Sequence, residues 1–160
     1  MATTKGVLTQ GTHVWILHGT TPTLTRILCV KTIAWGDDTI TDIPNTCLDE
    51  ETTATSEDGL KTPGDGSLVI DTDSRNATHM VLLEAAQLKE VVGIYVGWSD
   101  GVGVPTVNGS VVELPDTRSW SSATARLRKN NAVYDPDSLV NHTIGFKRQT
   151  EVIDEFKVNP

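Results

Sequence analysis

Hydrophobic and polar residues begin to alternate between Thr12 and His18, with His13, Trp15 and Leu17 on one side and Val14, Ile16 and His18 on the other. A period of two with β-branched residues predicts a strand, which Gly19 to Pro22 end. The run Thr25 to Trp35 sets Ile27, Cys29, Lys31 and Ile33 against Leu28, Val30 and Thr32 and predicts one long strand, apolar on most of both sides. Gly36 to Asp38 turn the chain. A third strand is predicted over Thr39 to Leu48, with a bulge or sheet edge at Pro44, because proline cannot donate to a ladder. From Asp49 to Gly59 apolar residues almost vanish. Asp49, Glu50, Glu51, Glu57 and Asp58 among Thr and Ser predict a solvated loop or hairpin tip. Order resumes at Leu60, and after the turn residues Pro63 to Gly66 the segment Ser67 to Asp71 predicts a short strand carrying Leu68, Val69 and Ile70.

The period then changes. Ala77, Val81, Ala85, Leu88 and Val92 recur at helical spacing, Asp73 or Ser74 can cap, and Glu84, Gln87 and Lys89 lie opposite. A helix over Ser74 to Glu90 is expected, lying on a sheet. Strands are expected at Val91 to Ser99, Trp120 to Lys129 and Ser138 to Thr150, where Ile144 and Phe146 alternate with Thr143, Gly145 and Lys147. Between them come a Gly-rich run, Asp100 to Pro105, and a hairpin over Asn108-Gly109 in a type I′ turn. The fold class is α+β: a mostly antiparallel β-sandwich or partial barrel with one flanking α-helix.

Composition narrows the function. A chain of 160 residues is one domain's worth, yet only 38% is hydrophobic and 5% aromatic, so a thin core that gains stability from neighbours is expected. The formal net charge of −8 argues against gripping a phosphate backbone, where released counterions supply the affinity. Cys29 and Cys47 fall inside strand-like runs and read as reduced, buried thiols. Met1 to Gly11 lacks the apolar stretch of a signal peptide, and no run approaches the ~20 apolar residues of a membrane span. A product made in the cytoplasm, with no membrane partner, is the expectation.

Catalytic chemistry finds no motif. There is no nucleophile elbow, phosphate-cradling loop, Cys-x-x-Cys or His-Glu-x-x-His. His13, His18, His79 and His142 are scattered over different elements and read as core or interface residues rather than metal ligands. Asp71-Thr-Asp73 and Asp135-Pro-Asp137 lack the Gly and distal Glu of a calcium loop and read as turn or capping carboxylates. Trp15, Trp35, Trp98 and Trp120 each sit in or beside a strand, as expected of sandwich packing rather than of a stacking platform. No catalytic residue, cofactor or metal is expected.

One block carries a resemblance. Ile43-Pro-Asn-Thr-Cys-Leu-Asp49, a hydrophilic stretch, and then Gly59-Leu-Lys-Thr-Pro-Gly-Asp-Gly-Ser-Leu-Val-Ile-Asp71, followed by one helix, resembles the tail tube proteins of lambda-like siphophages over roughly Lys5 to Thr150. In that family the block is a Thr-x-Leu-Asp strand, a long inter-subunit loop and a Gly-x-x-x-x-Gly lead into a strand ending in Asp. Val102 to Asp116 looks like an extra hairpin, and without a decoration domain after Pro160 a smooth-walled tail is expected.

The resemblance implies a single tail tube domain, 1–160, whose sheets join edge to edge into a β-barrel around a lumen. Usually hexameric rings would stack into a tube in the virion tail, assembled in the host bacterial cytoplasm. The implied inter-subunit loop is Cys47, Leu48, Asp49, Glu50, Glu51, Glu57, Asp58, Gly59 and Leu60 within 47–60, with arms at 1–11 and 151–160. Implied partners are further copies of the chain, a tape measure protein, duplex DNA in passage, and tail terminator and tail tip proteins. An acidic or small polar wall would let DNA slide, and the candidates are Thr39, Thr41, Asp42, Asp65, Ser67, Ser122 and Thr124. Competing readings are a single-ring terminator or neck protein, a secretion-system tube subunit, and a carbohydrate-binding β-sandwich.

Overall fold

A computed structural model describes residues 6–158. Twelve strands and one helix follow in chain order: β1 (His13–His18), β2 (Thr23–Ile27), β3 (Val30–Ala34), β4 (Thr39–Pro44), β5 (Ser56–Thr62), β6 (Asp65–Asp71), α1 (Ala77–Gln87), β7 (Val91–Gly97), β8 (Thr106–Asn108), β9 (Val111–Glu113), β10 (Trp120–Lys129), β11 (Asn141–Arg148) and β12 (Ile153–Glu155). Eight strands form one antiparallel sheet in the order β2-β1-β7-β10-β11-β6-β3, with β12 also on β10. Two separate ribbons, β4-β5 and β8-β9, stand apart from it.

The two ends of this sheet are consecutive in the chain. The expected long strand Thr25 to Trp35 is broken at Leu28 and Cys29, where Cys29 adopts a positive φ of 56°, and β2 and β3 go to opposite edges. The sheet therefore curls back on itself around the core without closing into a barrel. Inside lie Val14, Ile16, Leu68, Ile70, Val92, Ile94, Ala125, Leu127, Ile144 and Phe146, the alternate residues of five strands. Cys29 and Cys47 are both exposed, not buried, because one sits at this corner and the other at a ribbon tip.

Helix α1 packs on this core. It is shorter than Ser74 to Glu90, and its N-cap is Asn76, whose side chain accepts from the Thr78 backbone at 3.1 Å, rather than Asp73 or Ser74. Its buried face is His79, Leu82, Ala85 and Ala86, so of the expected stripe on the helix Ala85 is buried, Val81 packs half-buried against the core, and Ala77 and Leu88 are exposed. His79 explains the rotation. Its Nε2 donates to the Leu28 carbonyl at 2.7 Å while Nδ1 accepts from the Asp73 backbone at 3.2 Å, which ties the helix to the β2-β3 corner.

Two expected turns differ in detail. The β8-β9 register pairs Asn108 with Val111, so Gly109 and Ser110 are the central residues. Gly109 alone has positive φ, 66°, which fits a type II′ turn rather than I′. After β11, the expected arm 151–160 contributes β12 to the chain's own sheet, with Ile153 opposite Ser122 and Glu155 opposite Trp120. At the other end, residues 1–5 of the arm 1–11 lie outside the described residues.

Candidate assembly surfaces

The hydrophilic excursion is the tip of a two-stranded ribbon, one of the two forms expected for it. Ser56 to Gly59, expected in the loop, belong to β5, which pairs with β4 across a bulge at Thr41. Beyond the strands, Asn45 N–H donates to Thr55 O at 3.1 Å, and a turn closes from Glu50 N–H to Cys47 O at 3.1 Å. Almost every ribbon residue is exposed, including Ile40, Ile43, Leu48 and Leu60. Six carboxylates, on Asp42, Asp49, Glu50, Glu51, Glu57 and Asp58, accompany one lysine, Lys61. Register sets Asp42 directly opposite Asp58.

A close crossing fixes the ribbon's base. A Cβ on Gly36 would stand 2.0 Å from Asp65 O and one on Gly64 would stand 2.1 Å from Asp37 O, so the two chain segments pass at a distance that only glycine permits. Charges lock the crossing. Buried Arg148 donates through Nε to Trp35 O at 2.9 Å, and through a terminal nitrogen to Gly36 O at 3.1 Å and to the Asp38 carboxylate. Lys61 Nζ reaches Asp38 at 3.2 Å and Glu151 at 2.6 Å. The hydrogen bond from Arg148 is the main cause holding the Asp38 carboxyl below its ordinary pKa.

The open face of the sheet is a second surface. Opposite the buried residues of β6, β10 and β11 lie Asp65, Ser67, Ser122, Thr124, Arg126, Arg128, Thr143, Gly145 and Lys147. Four of the seven expected wall residues, Asp65, Ser67, Ser122 and Thr124, thus share one face, whereas Thr39, Thr41 and Asp42 lie on the ribbon. The same face sets Arg126 opposite Lys147 and Lys147 opposite Asp65. Among the described residues, no carboxylate lies within ion-pair distance of Arg126, Arg128 or Lys147.

Elsewhere the outer face is covered. The segment between β7 and β10 folds over Trp15 and Trp120, whose rings are 5.2 Å apart, and Arg118 lies 5.3 Å from the Trp120 ring. Arg118 is 2% exposed and ends on backbone carbonyls: Gly97 at 2.7 Å, Gly103 at 3.3 Å, Gly11 at 3.4 Å and Trp98 at 2.9 Å. It also donates to His13 Nδ1 at 3.3 Å. Burial, aided by Arg26 and Arg118, holds His13 below its ordinary pKa, as an accepting neutral ring requires. Trp15 and Trp120 are buried, whereas Trp35 and Trp98 are half-buried and stand edge-on to Phe146 and Phe156. The pattern along the strands gave no sign of Arg118 or Arg148. Both are recognisable only once the carbonyls they bind are placed.

An open groove of about 980 Å³ runs where β3, β7 and the residues before β12 approach the N-terminal segment. Ile33, Trp35, Val96, Trp98 and Val152 give it an apolar floor, and Asp37, Asp38 and Asp154 stand among its lining.

The model of the lambda-like phage tail tube family matches residues 5–158. A Pseudomonas phage PAJU2 protein, "Structural protein 3", is 28% identical over 158 residues, covering 96% of each chain. By fold the chain is similar to the SPP1 tail tube subunit, with a TM-score of 0.65 at 9% identity over 96% of this chain and 81% of that one. It is also similar to a chain of the extracellular contractile injection system PVC sheath/tube terminator, with a TM-score of 0.63 at 11% identity over 96% and 99%. The third likeness is to a chain of the anti-feeding prophage baseplate, with a TM-score of 0.62 at 7% identity over 96% and 98%. A match that spans almost every residue, on a fold shared with tube components, makes this chain a member of the lambda-like phage tail tube family.

Proposed function

We propose that this chain is a structural, non-enzymatic subunit that forms rings, hexameric in the simplest case, which stack into the tail tube and give DNA a path into the host. The observation that carries the reading is the ribbon: a two-stranded projection exposed along almost its whole length, tied to the body at its base. An isolated two-stranded ribbon is at best marginally stable in water, so it needs a neighbour. The unpaired outer edges of β2 and β3 need one too, and pairing between copies removes the hazard of open edges.

In this arrangement the ribbon, 39–62, bridges copies, and the open face of β6, β11 and β10 lines the channel with Asp65, Ser67, Ser122 and Thr124. Assembly would take place in the host cytoplasm around a tape measure protein and end at terminator and tip proteins. A single-ring terminator is the second reading, because the fold is about as similar to a chain of a terminator complex as to a tube subunit. Negative-stain microscopy of the purified chain tests the choice. Hollow tubes of uniform width are expected, whereas isolated rings at all concentrations would favour the terminator, and monomers alone would reject both.

A further inference from the structure

Two like-charged cross-strand pairs stand on exposed surfaces of this chain, one of each sign. On the ribbon Asp42 faces Asp58, and on the open face Arg126 faces Lys147. Like charges directly opposite one another destabilise a sheet, and neither pair has an ion partner among the described residues. Salt bridges do form where they serve the body: Lys31 with Asp71, Lys61 with Asp38 and Glu151, and Arg148 with Asp38. The two like-charged sets take part in none of these ion pairs. Each is the complement of the other.

We propose that the Asp42 and Asp58 pair of one subunit seats on the Arg126 and Lys147 pair of a second copy, with Arg128 extending the basic stripe along β10. The partner is argued from charge: the ribbon carries six carboxylates against one lysine that is already engaged, and the stripe gathers three exposed cations on a chain of net charge −8. Duplex DNA is the weaker candidate for the stripe. The net charge of −8 argues against gripping a phosphate backbone, whose affinity comes from released counterions. Such a contact joins two different patches, so it propagates from copy to copy around a ring or along a tube. It also answers a difficulty of the proposed channel. A bare basic stripe would drag on DNA, whereas a stripe neutralised by the neighbour's ribbon leaves Ser67, Ser122 and Thr124 to set the wall.

The inference rests on the tube reading, and reciprocal charge reversal tests the two separately. One variant carries Asp42→Lys and Asp58→Lys, the other Arg126→Glu and Lys147→Glu. All four sites are exposed, so both variants should keep the circular dichroism and melting temperature of the unassembled parent. Each alone should raise the critical concentration for assembly at least about tenfold, the change that ~1.4 kcal/mol produces. An equal mixture should recover assembly, because each ribbon then finds an opposite face. Parent tubes without recovery in the mixture would overturn the pairing and leave the tube reading intact. Normal assembly of the face variant, with loss of duplex DNA binding to the tubes, would overturn it in favour of a polyanion site. A parent chain that forms no tubes would remove the basis of both.

Discussion

The guanidinium of Arg148, 2% exposed, and the carboxylate of Asp38 are bonded across the base of the β4-β5 ribbon. Asp38 also accepts from the Gly64 backbone at 3.3 Å, so a single carboxylate just before β4 is tied to the turn that follows β5. The ribbon thus leaves the body at a fixed angle instead of hanging from a hinge.

Acid should loosen that base. The Asp38 pKa is depressed in the folded chain, chiefly by Arg148, so its contribution is fully present above the ordinary carboxylate range and is lost as pH falls through the depressed value. The protection of the Gly64 amide relative to its intrinsic exchange rate at each pH should fall on acidification, and Asp38→Asn should show that reduced protection already at neutral pH while the core of β7 and β10 stays protected. Equal protection of Gly64 in the variant and the parent at pH 7 would show that the carboxylate does not hold the crossing.

Arg118 should be indispensable to the outer face. Arg118→Met keeps most of the volume between Trp15 and Trp120 but leaves the Gly97 and Trp98 carbonyls without their donor. Each such loss costs ~1–3 kcal/mol, so urea unfolding should show a destabilisation on the order of 3 kcal/mol. A change below ~0.5 kcal/mol would mean that the carbonyls find water at no cost.

Gly64→Ala should harm both stability and assembly. The new methyl would stand 2.1 Å from a backbone oxygen on the facing segment, so the ribbon must move. A loss on the order of 4 kcal/mol is expected in thermal unfolding. Gly145→Ala is the control, because a Cβ there meets nothing within 4 Å.

Both cysteines should be reactive in the free subunit. Cys29 sits at the corner between β2 and β3 and Cys47 at the ribbon tip, both exposed. Two thiols per chain should titrate with an aromatic disulfide reagent. If the ribbon tip meets a neighbour, Cys47 alone should become protected in assembled material, a difference that peptide mapping of the labelled chain can read.

Much of this architecture is legible in the pattern of residues, and the failures have physical causes. Strands buried on one face announce themselves, as Ile144 and Phe146 do in β11, because burial forces alternation. Strand β5 is exposed on both sides and shows no alternation, so Ser56 to Gly59 read as part of a loop or hairpin tip. The break at Leu28 and Cys29 carries no Gly or Pro; it is imposed by the His79 and Thr78 hydrogen bonds from a helix 50 residues away in the chain. Of the candidate surfaces, the acidic excursion was visible as composition. The pairing of Asp42 with Asp58 and of Arg126 with Lys147 was not, since register depends on the bulge at Thr41 and on the whole sheet.

The central claim is that copies of this chain build a tube through the ribbon, and helical reconstruction of assembled material by electron cryomicroscopy tests it most directly. The account predicts a hollow tube in which residues 39–62 of each subunit lie against a neighbouring copy and the face carrying Ser67, Ser122 and Thr124 turns toward the channel. A tube whose ribbons project free into solvent, or whose channel is lined by α1 instead of that face, would contradict it.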